Sequence, residues 1–552
     1  MKRFVLLCAT AGATFAQPAI TPGRILNTSG DQAKLAPGVV WVIYGSGLGP
    51  ASLAIATGPN YPDSVAGTSV TFTPTAGGAA IPVKIWYSLS TQAGGFLPSS
   101  IVPGTYNVHV AYNGQTSAPQ SVTVVARSMG IGTSNGVGTG PSQATIANVN
   151  GGLSLARLTS GSVDFSGYHW LLTPAHPGDD IVLWGTGGGA DPANDPGSSP
   201  GSSGDQTAAG NFKVIVGTQQ ITPGYAGAVA GYPGLWQINF HLPSDAQLDC
   251  FAPVQVSAGG ELSNLTSLPI AAAGQTACSD FFFPLPILTK LDAQQDIIFG
   301  AFAIAKIGSA TNAAPQLSAS GFFGQYTSTQ YVLSRIGVKF NGCEIYDRTY
   351  PAGGQDPVFP KGFLDAGPRL PLTGGTLTAG TALANNPTPT GPTYVLLPST
   401  GIVDGATYTM SGTGGAIIGP FSFTTTAPTG FLATNFDSII SVDRSKPLTI
   451  TWTGTGFPRV YIQVNSTVLT GSNRRIVTMN CNVPAAPGSY TIPPEALAYL
   501  PPVPATGTSF GGIAVEAMVP GTQVAVPLLA GGTIDSGALV IDFGYSKTIA
   551  VQ

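Results

Sequence analysis

Along most of the chain, short runs of apolar and β-branched residues alternate with Gly, Pro, Asn and Ser turn signals every ~8–12 residues. VVWVIYGSG (39–47), DIVLWGTG (180–187) and PLTITWTGTG (447–456) each read as a strand that ends at glycines. In the last, Leu448, Ile450 and Trp452 fall on one face and Thr449 and Thr451 on the other, the period-2 pattern of a half-buried strand. Helical patterns are few. PPEALAYL (493–500) fits two turns, with Pro early and Glu495 in the first turn, and DAQQDIIFGAFAIAK (292–306) fits either a helix or a strand.

One pattern occurs twice. APGVVWVIYGSGLGP (36–50) aligns with HPGDDIVLWGTGGGA (176–190), and PGTYNVHVAYNGQTSAPQSVTV (103–124) with APVQVSAGGELSNLTSLPI (252–270). Two copies of one β domain explain this, at 17–127 and 128–276. FFFPLPIL (281–288) lies in a linker spanning 277–290. Beyond it are expected a β domain over 291–435 and a β-sandwich over 436–552. The predicted fold is all-β, a tandem array of immunoglobulin-like β-sandwiches.

Composition agrees. Only 8% of the 552 residues are charged, and Gly (74) and Pro (47) make up about a fifth of the chain, which disfavours long helices. With 43% hydrophobic residues, several cores can still be filled. The start, MKRFVLLCATAGATFA (1–16), has basic Lys2 and Arg3, a short apolar run and small residues to Ala16, as in a secretory signal peptide. Cys8 follows Leu7 inside the apolar run, which disfavours a lipid anchor. After removal of this segment 19 basic face 25 acidic side chains, a net −6, with no basic patch. Nucleic-acid binding and an anionic membrane surface are therefore excluded. No run of ~20 apolar residues marks an integral membrane protein. The expected location is extracellular or at the cell surface.

Cys250, Cys278, Cys343 and Cys481 remain, an even count that suggests disulfides in an exported protein. Four cysteines allow three pairings. Cys250–Cys278 is favoured as the local pair at the second module, leaving Cys343–Cys481, and four buried thiols are the alternative.

The LAPG…YGSGLGP start, PDSVAGTSVT (62–71), PGLWQINFHLP (233–243) and the following APVQVSAGG…SN resemble a family of secreted acidobacterial β domains, the Solibacter-type C-terminal domains. These are similar to IPT/TIG immunoglobulin-like modules. The resemblance covers about residues 21–276, and a weaker one to a companion β domain covers 435 onwards. It implies the fold and export, and it implies no activity. The first copy departs from the pattern, with Gln92-Ala93-Gly94 where the family has Gln-Ile-Asn.

Candidate chemistry is sparse. Two G-x-S-x-G stretches, Gly132–Gly136 around Ser134 and Gly197–Gly201 around Ser199, lack the strand-then-helix context of a nucleophile elbow. The four histidines, His109, His169, His176 and His241, read as turn and surface residues, and His169 with His176 would need a third metal ligand. Glu261, Glu344, Glu495 and Glu516 fall in separate segments, against the facing carboxylates of a glycosidase. No catalytic residue is assigned. Asp191, Asp195 and Asp205 share one polar loop, DPANDPGSSPGSSGD (191–205), and are the candidate ligands for Ca²⁺, although the D-x-D-x-D-G order is missing. Of the six tryptophans, Trp184 and Trp452 share a strand face with aliphatic residues, and Trp41 and Trp236 also read as core. Trp86 and Trp170, beside Tyr87 and His169, are the exposed candidates for ligand binding. Three functions remain: a non-catalytic structural, adhesion or binding protein with surface proteins as partners; an extracellular polysaccharide-binding or carbohydrate-active accessory protein; and a subunit of a fibre or surface layer.

Overall fold

The computed structural model describes residues 17–30, 32–147, 152–165, 167–198, 204–280, 284–308, 314–340, 342–520 and 525–552. The expected signal segment 1–16 and Ser199 lie outside them. The chain is all-β, about 53% strand and 5% helix. Strands form where apolar and polar residues alternate. In Gly104–Tyr112, Tyr106, Val108 and Val110 are buried while Asn107 and His109 turn outward.

The first domain is a two-sheet sandwich. Ala19–Asn27 pairs Val40–Ser46, which pairs Gln92–Phe96, which pairs Lys84–Leu89. The facing sheet runs Lys34–Leu35, Gln120–Val124, Gly104–Tyr112, Thr68–Pro74. Between them lie Trp41, Ile43, Phe72, Val108 and Val110. The second domain has the same strand order: Gly130–Ile131, Asp180–Thr186, Trp236–His241 and Tyr225–Ala228 in one sheet, and Gly140–Pro141, Thr266–Ile270, Asp249–Ala258 and Lys213–Val216 in the other. Its first sheet is widened by an insertion, Ala144–Ala147, Leu153–Ala156, Gly161–Phe165 and Tyr168–Thr173. Trp236 and Phe212 stack at the centre of its core, with ring centroids 5.8 Å apart.

One tryptophan differs from the expectation. Trp41, Trp236 and Trp452 are buried, but Trp184 is half-exposed and donates from Nε1 to Thr145 Oγ1 at 3.0 Å. In Asp180–Thr186 the core-facing residues are Ile181 and Leu183, so the strand's period puts Trp184 on the outer face.

Among the described residues of the C-terminal half, fifteen strands form one sheet that crosses the expected boundary near 435. Ile297–Gly308 runs parallel to Ser536–Val551, and Cys343–Pro351 pairs with Asn473–Pro484. Phe302, Ile304 and Phe423 share a core with Leu539, Ile541 and Phe543. The ambiguous 292–306 stretch is mainly strand. The expected linker carries a helix, Leu285–Asp292, whose Ile287, Leu288 and Leu291 pack with Cys250, Cys278 and Tyr331. The apolar i, i+1, i+4 spacing gives that helix a buried face, so the segment docks instead of spanning open solvent. Both disulfides form, Cys250–Cys278 and Cys343–Cys481. No helix among the described residues is long and apolar enough to cross a membrane.

Candidate functional site

The two N-terminal domains meet around a cleft of about 560 Å³. A β-bulge shapes its first wall. Ile85 lies opposite Gly95 and Tyr87 opposite Gly94, so Trp86 is an extra residue without a partner. Such a bulge re-aims a side chain, and Trp86 is 39% exposed on the cleft. Phe96, at the end of the neighbouring strand, lies 6.3 Å from Trp86 and 4.5 Å from Tyr61, centroid to centroid. Tyr61 follows the cis Gly58–Pro59 bond, and both of those residues line the cleft.

The opposite wall is the 231–235 loop of the second domain, where Tyr232 is 64% exposed. Gly234 allows this loop to dock: a Cβ there would overlap Val40 Cγ2, and its φ is +75°. Thr28, Ser29 and Thr186 add hydroxyls to the lining, and among the described residues no charged side chain lines the cleft.

The geometry is fixed by polar contacts between the domains. The buried Asn27 Nδ2 donates to Ser128 O (2.9 Å) and Thr186 O (3.2 Å). Val40 N donates to Thr186 Oγ1 at 3.0 Å. Lys34 pairs with Glu261 at 2.7 Å. Ser99 donates its N–H and its hydroxyl to Asp195, the latter at 2.7 Å. Buried groups satisfied in this way hold two bodies in one register.

Of the candidates read from sequence, Trp86 lines the cleft and Tyr87 does not. The Tyr87 ring covers Gly94, where any Cβ would collide with it, and burial beside Tyr44 pushes its hydroxyl up to about 12. This accounts for Gly94 where the second copy has Asn239: the glycine makes room for the ring. Trp170 sits 6.5 Å from Tyr168 on the open sheet face of the second domain's insertion, away from the cleft. Tyr61, Phe96 and Tyr232 were not singled out from sequence. The only local signals for them are the Gly-Pro and Pro-Gly pairs at 58–59 and 233–234.

The remaining candidates are dispersed. His169 bonds Asp164, His176 contacts Asp179 and Gln275 O, His241 bonds Asp180, and His109 contacts Ser117 O. Among the described residues no three His, Cys, Asp or Glu side chains come together as a metal-holding group. Asp191 caps the 3₁₀ turn Pro192–Asn194, Asp195 holds Ser99, and Asp205 accepts from Thr207 and Ala226. Ser134 sits in a turn that returns to Pro141. Glu261 is in the inter-domain ion pair, Glu495 is exposed in the helix Pro494–Leu497, and Glu344 lies near Lys339 (3.4 Å) and Arg335 (3.7 Å).

Glu516 is not isolated. Phe510–Pro520 pairs with Ser536–Val551 so that Glu516 lies opposite Gly544 and Met518 opposite Asp542. The two carboxyls are therefore diagonal neighbours on one sheet face. Burial, and then the Asp542 charge, pushes Glu516 up to about 8; burial pushes Asp542 up to about 6. Tyr461, opposite Glu516, lines a separate cavity of about 490 Å³ with Arg335, Lys339 and Glu344.

No family model matches the chain, and no curated protein matches it. Solved structures give distant likenesses. The Bacteroides ovatus mixed-linkage glucan utilization locus protein SGBP-B, in complex with a mixed-linkage heptasaccharide, is 11% identical, with 88% of each chain covered and a TM-score of 0.12. The S-layer protein rSbsC(31-844) is 10% identical over 96% of this chain and 54% of that one, with a TM-score of 0.16. The chicken CNTN1 FN1–FN3 domains are 10% identical over 69% of this chain and 99% of theirs, with a TM-score of 0.11. The sandwich architecture rests on the strand pairings themselves.

Proposed function

We propose that the chain is an exported, non-catalytic binding protein that holds a segment of a neutral extracellular polysaccharide in the cleft between its first two domains. The observation that carries this is the cleft lining: four aromatic rings, Tyr61, Trp86, Phe96 and Tyr232, a fringe of hydroxyls and, among the described residues, no charge. The C–H faces of sugar rings pack on aromatic faces, while the sugar hydroxyls bond to Ser, Thr and main-chain groups. A charged ligand would lose hydration there without a partner, at a cost of several kcal/mol. The inter-domain contacts preorganise the walls, which reduces the ordering cost of binding. Export is supported by the N-terminal segment and by two disulfides, which persist in oxidising surroundings. Membership of residues 21–276 in the Solibacter-type family is part of the same proposal and rests on the motifs quoted above. Retention of the purified chain on insoluble neutral polysaccharides tests it. Wild type is expected to be retained on at least one, and Trp86→Ala to run with the unbound fraction. Equal behaviour of the two proteins on every polysaccharide overturns the proposal.

A further inference from the structure

One of the second domain's contacts with the first is a short turn, the 3₁₀ helix Pro192–Asn194 flanked by Asp191 and Asp195. None of the described ion pairs includes Asp191 or Asp195. Among the described residues, the Asp195 carboxylate accepts only from the neutral N–H and hydroxyl of Ser99. Burial, reinforced by the neighbouring Asp191 charge, raises its pKa despite those bonds.

Two oxygens of this turn are buried with no hydrogen-bond partner, Asp191 Oδ2 and Asn194 Oδ1. Asn194 is only 6% exposed. Its Nδ2 donates to Tyr232 O at 3.2 Å, so its Oδ1 is left as a bare acceptor. Native structures rarely leave buried acceptors unmet, and each one calls for a missing donor or ion. Within five residues the turn offers two carboxylates and an amide oxygen, all hard oxygen donors, with no Cys or His. Oxygen-only donors at irregular spacing suit Ca²⁺, which accepts six to eight ligands in flexible geometry, better than octahedral Mg²⁺ or nitrogen- and sulfur-seeking Zn²⁺.

We propose that the Asp191–Asp195 turn binds a calcium ion through Asp191 Oδ2, Asn194 Oδ1 and the Asp195 carboxylate, with water and main-chain carbonyls completing the shell. Asp205 is not among the proposed ligands: it lies outside the turn, where its Oδ1 accepts from Thr207 N, Thr207 Oγ1 and Ala226 N. The ion stiffens the cleft walls. The same turn holds Tyr232 through Asn194, holds Ser99 through Asp195, and is tied to Pro59 by Gly197 N at 3.2 Å.

The test uses the full mature chain after chelator treatment, with no polysaccharide present, so it stands or falls apart from the cleft's ligand. Calcium chloride is expected to raise the melting temperature in a saturable way, magnesium chloride to do so much less, and calcium titration calorimetry to give one site per chain. Asp191→Asn is expected to weaken calcium binding at least about tenfold, and Asn194→Asp, which keeps the oxygen, to retain it. No heat and no melting shift with calcium in the wild type overturns the proposal. So does calcium affinity in Asp191→Asn equal to that of the wild type.

Discussion

Trp86 and Tyr87 are adjacent in the chain, yet the bulge turns Trp86 to the cleft and lays Tyr87 over Gly94. A single unpaired residue separates a ligand-facing ring from a packing ring, and local alternation does not reveal it. Glu516 shows the same limit. Its neighbour Asp542 is 26 positions away, and only the register Met518↔Asp542 brings them together. The pair has a consequence for pH. Glu516 is raised from its ordinary 4.5 to about 8, so the fold holds a proton that the unfolded chain releases above about 4.5. The stability this contributes is complete below about pH 4.5 and is lost as pH rises to about 8. Glu516→Gln is expected to raise the melting temperature at pH 8 by a few degrees, on the order of 1 kcal/mol, and to leave it unchanged at pH 4. Melting curves of both proteins across that range check this.

At the scale of elements, alternation is what the sequence shows best. Leu448, Ile450 and Trp452 face the core as their spacing predicts, and Thr449 and Thr451 do not. Trp184 had the same kind of neighbours but the opposite phase, because the strand's core face is set by Ile181 and Leu183. The helix Leu285–Asp292 was hidden by its prolines, Pro284 at the N-cap and Pro286 in the first turn, where the missing N–H costs nothing. The Cys343–Cys481 bond joins residues directly opposite in adjacent strands and spans 138 positions. On the chain-entropy relation it restricts the unfolded chain by about 5 kcal/mol, against about 3.5 kcal/mol for Cys250–Cys278 with its span of 28. Replacing Cys343 and Cys481 by Ala is therefore expected to lower the unfolding temperature more than replacing Cys250 and Cys278. Calorimetry on the two double variants reads the order directly.

For the whole molecule, two kinds of organisation coexist. The N-terminal modules are sequential, so each is visible as a local repeat. The C-terminal half is interleaved: strands before residue 351 pair with strands after 472, and no local turn signal marks such closure. Residues 284–552 are accordingly expected to unfold in one calorimetric transition, and a chain ending at 435 to lose Ser536–Val551, the parallel partner of Ile297–Gly308, and give no cooperative transition of that half. The cleft too belongs to the whole molecule, because neither module alone holds Tyr61, Trp86, Phe96 and Tyr232. Its docking through Asn27, Ser99 and Gly234 lies beyond what strand patterning can show. The most direct test is a solution titration of the mature chain with soluble neutral oligosaccharides, monitored by tryptophan fluorescence and calorimetry. The account predicts saturable binding by wild type and by Trp170→Ala, and affinity reduced at least about tenfold, some 1.4 kcal/mol, in Trp86→Ala. Binding that survives Trp86→Ala but is lost in Trp170→Ala would contradict it.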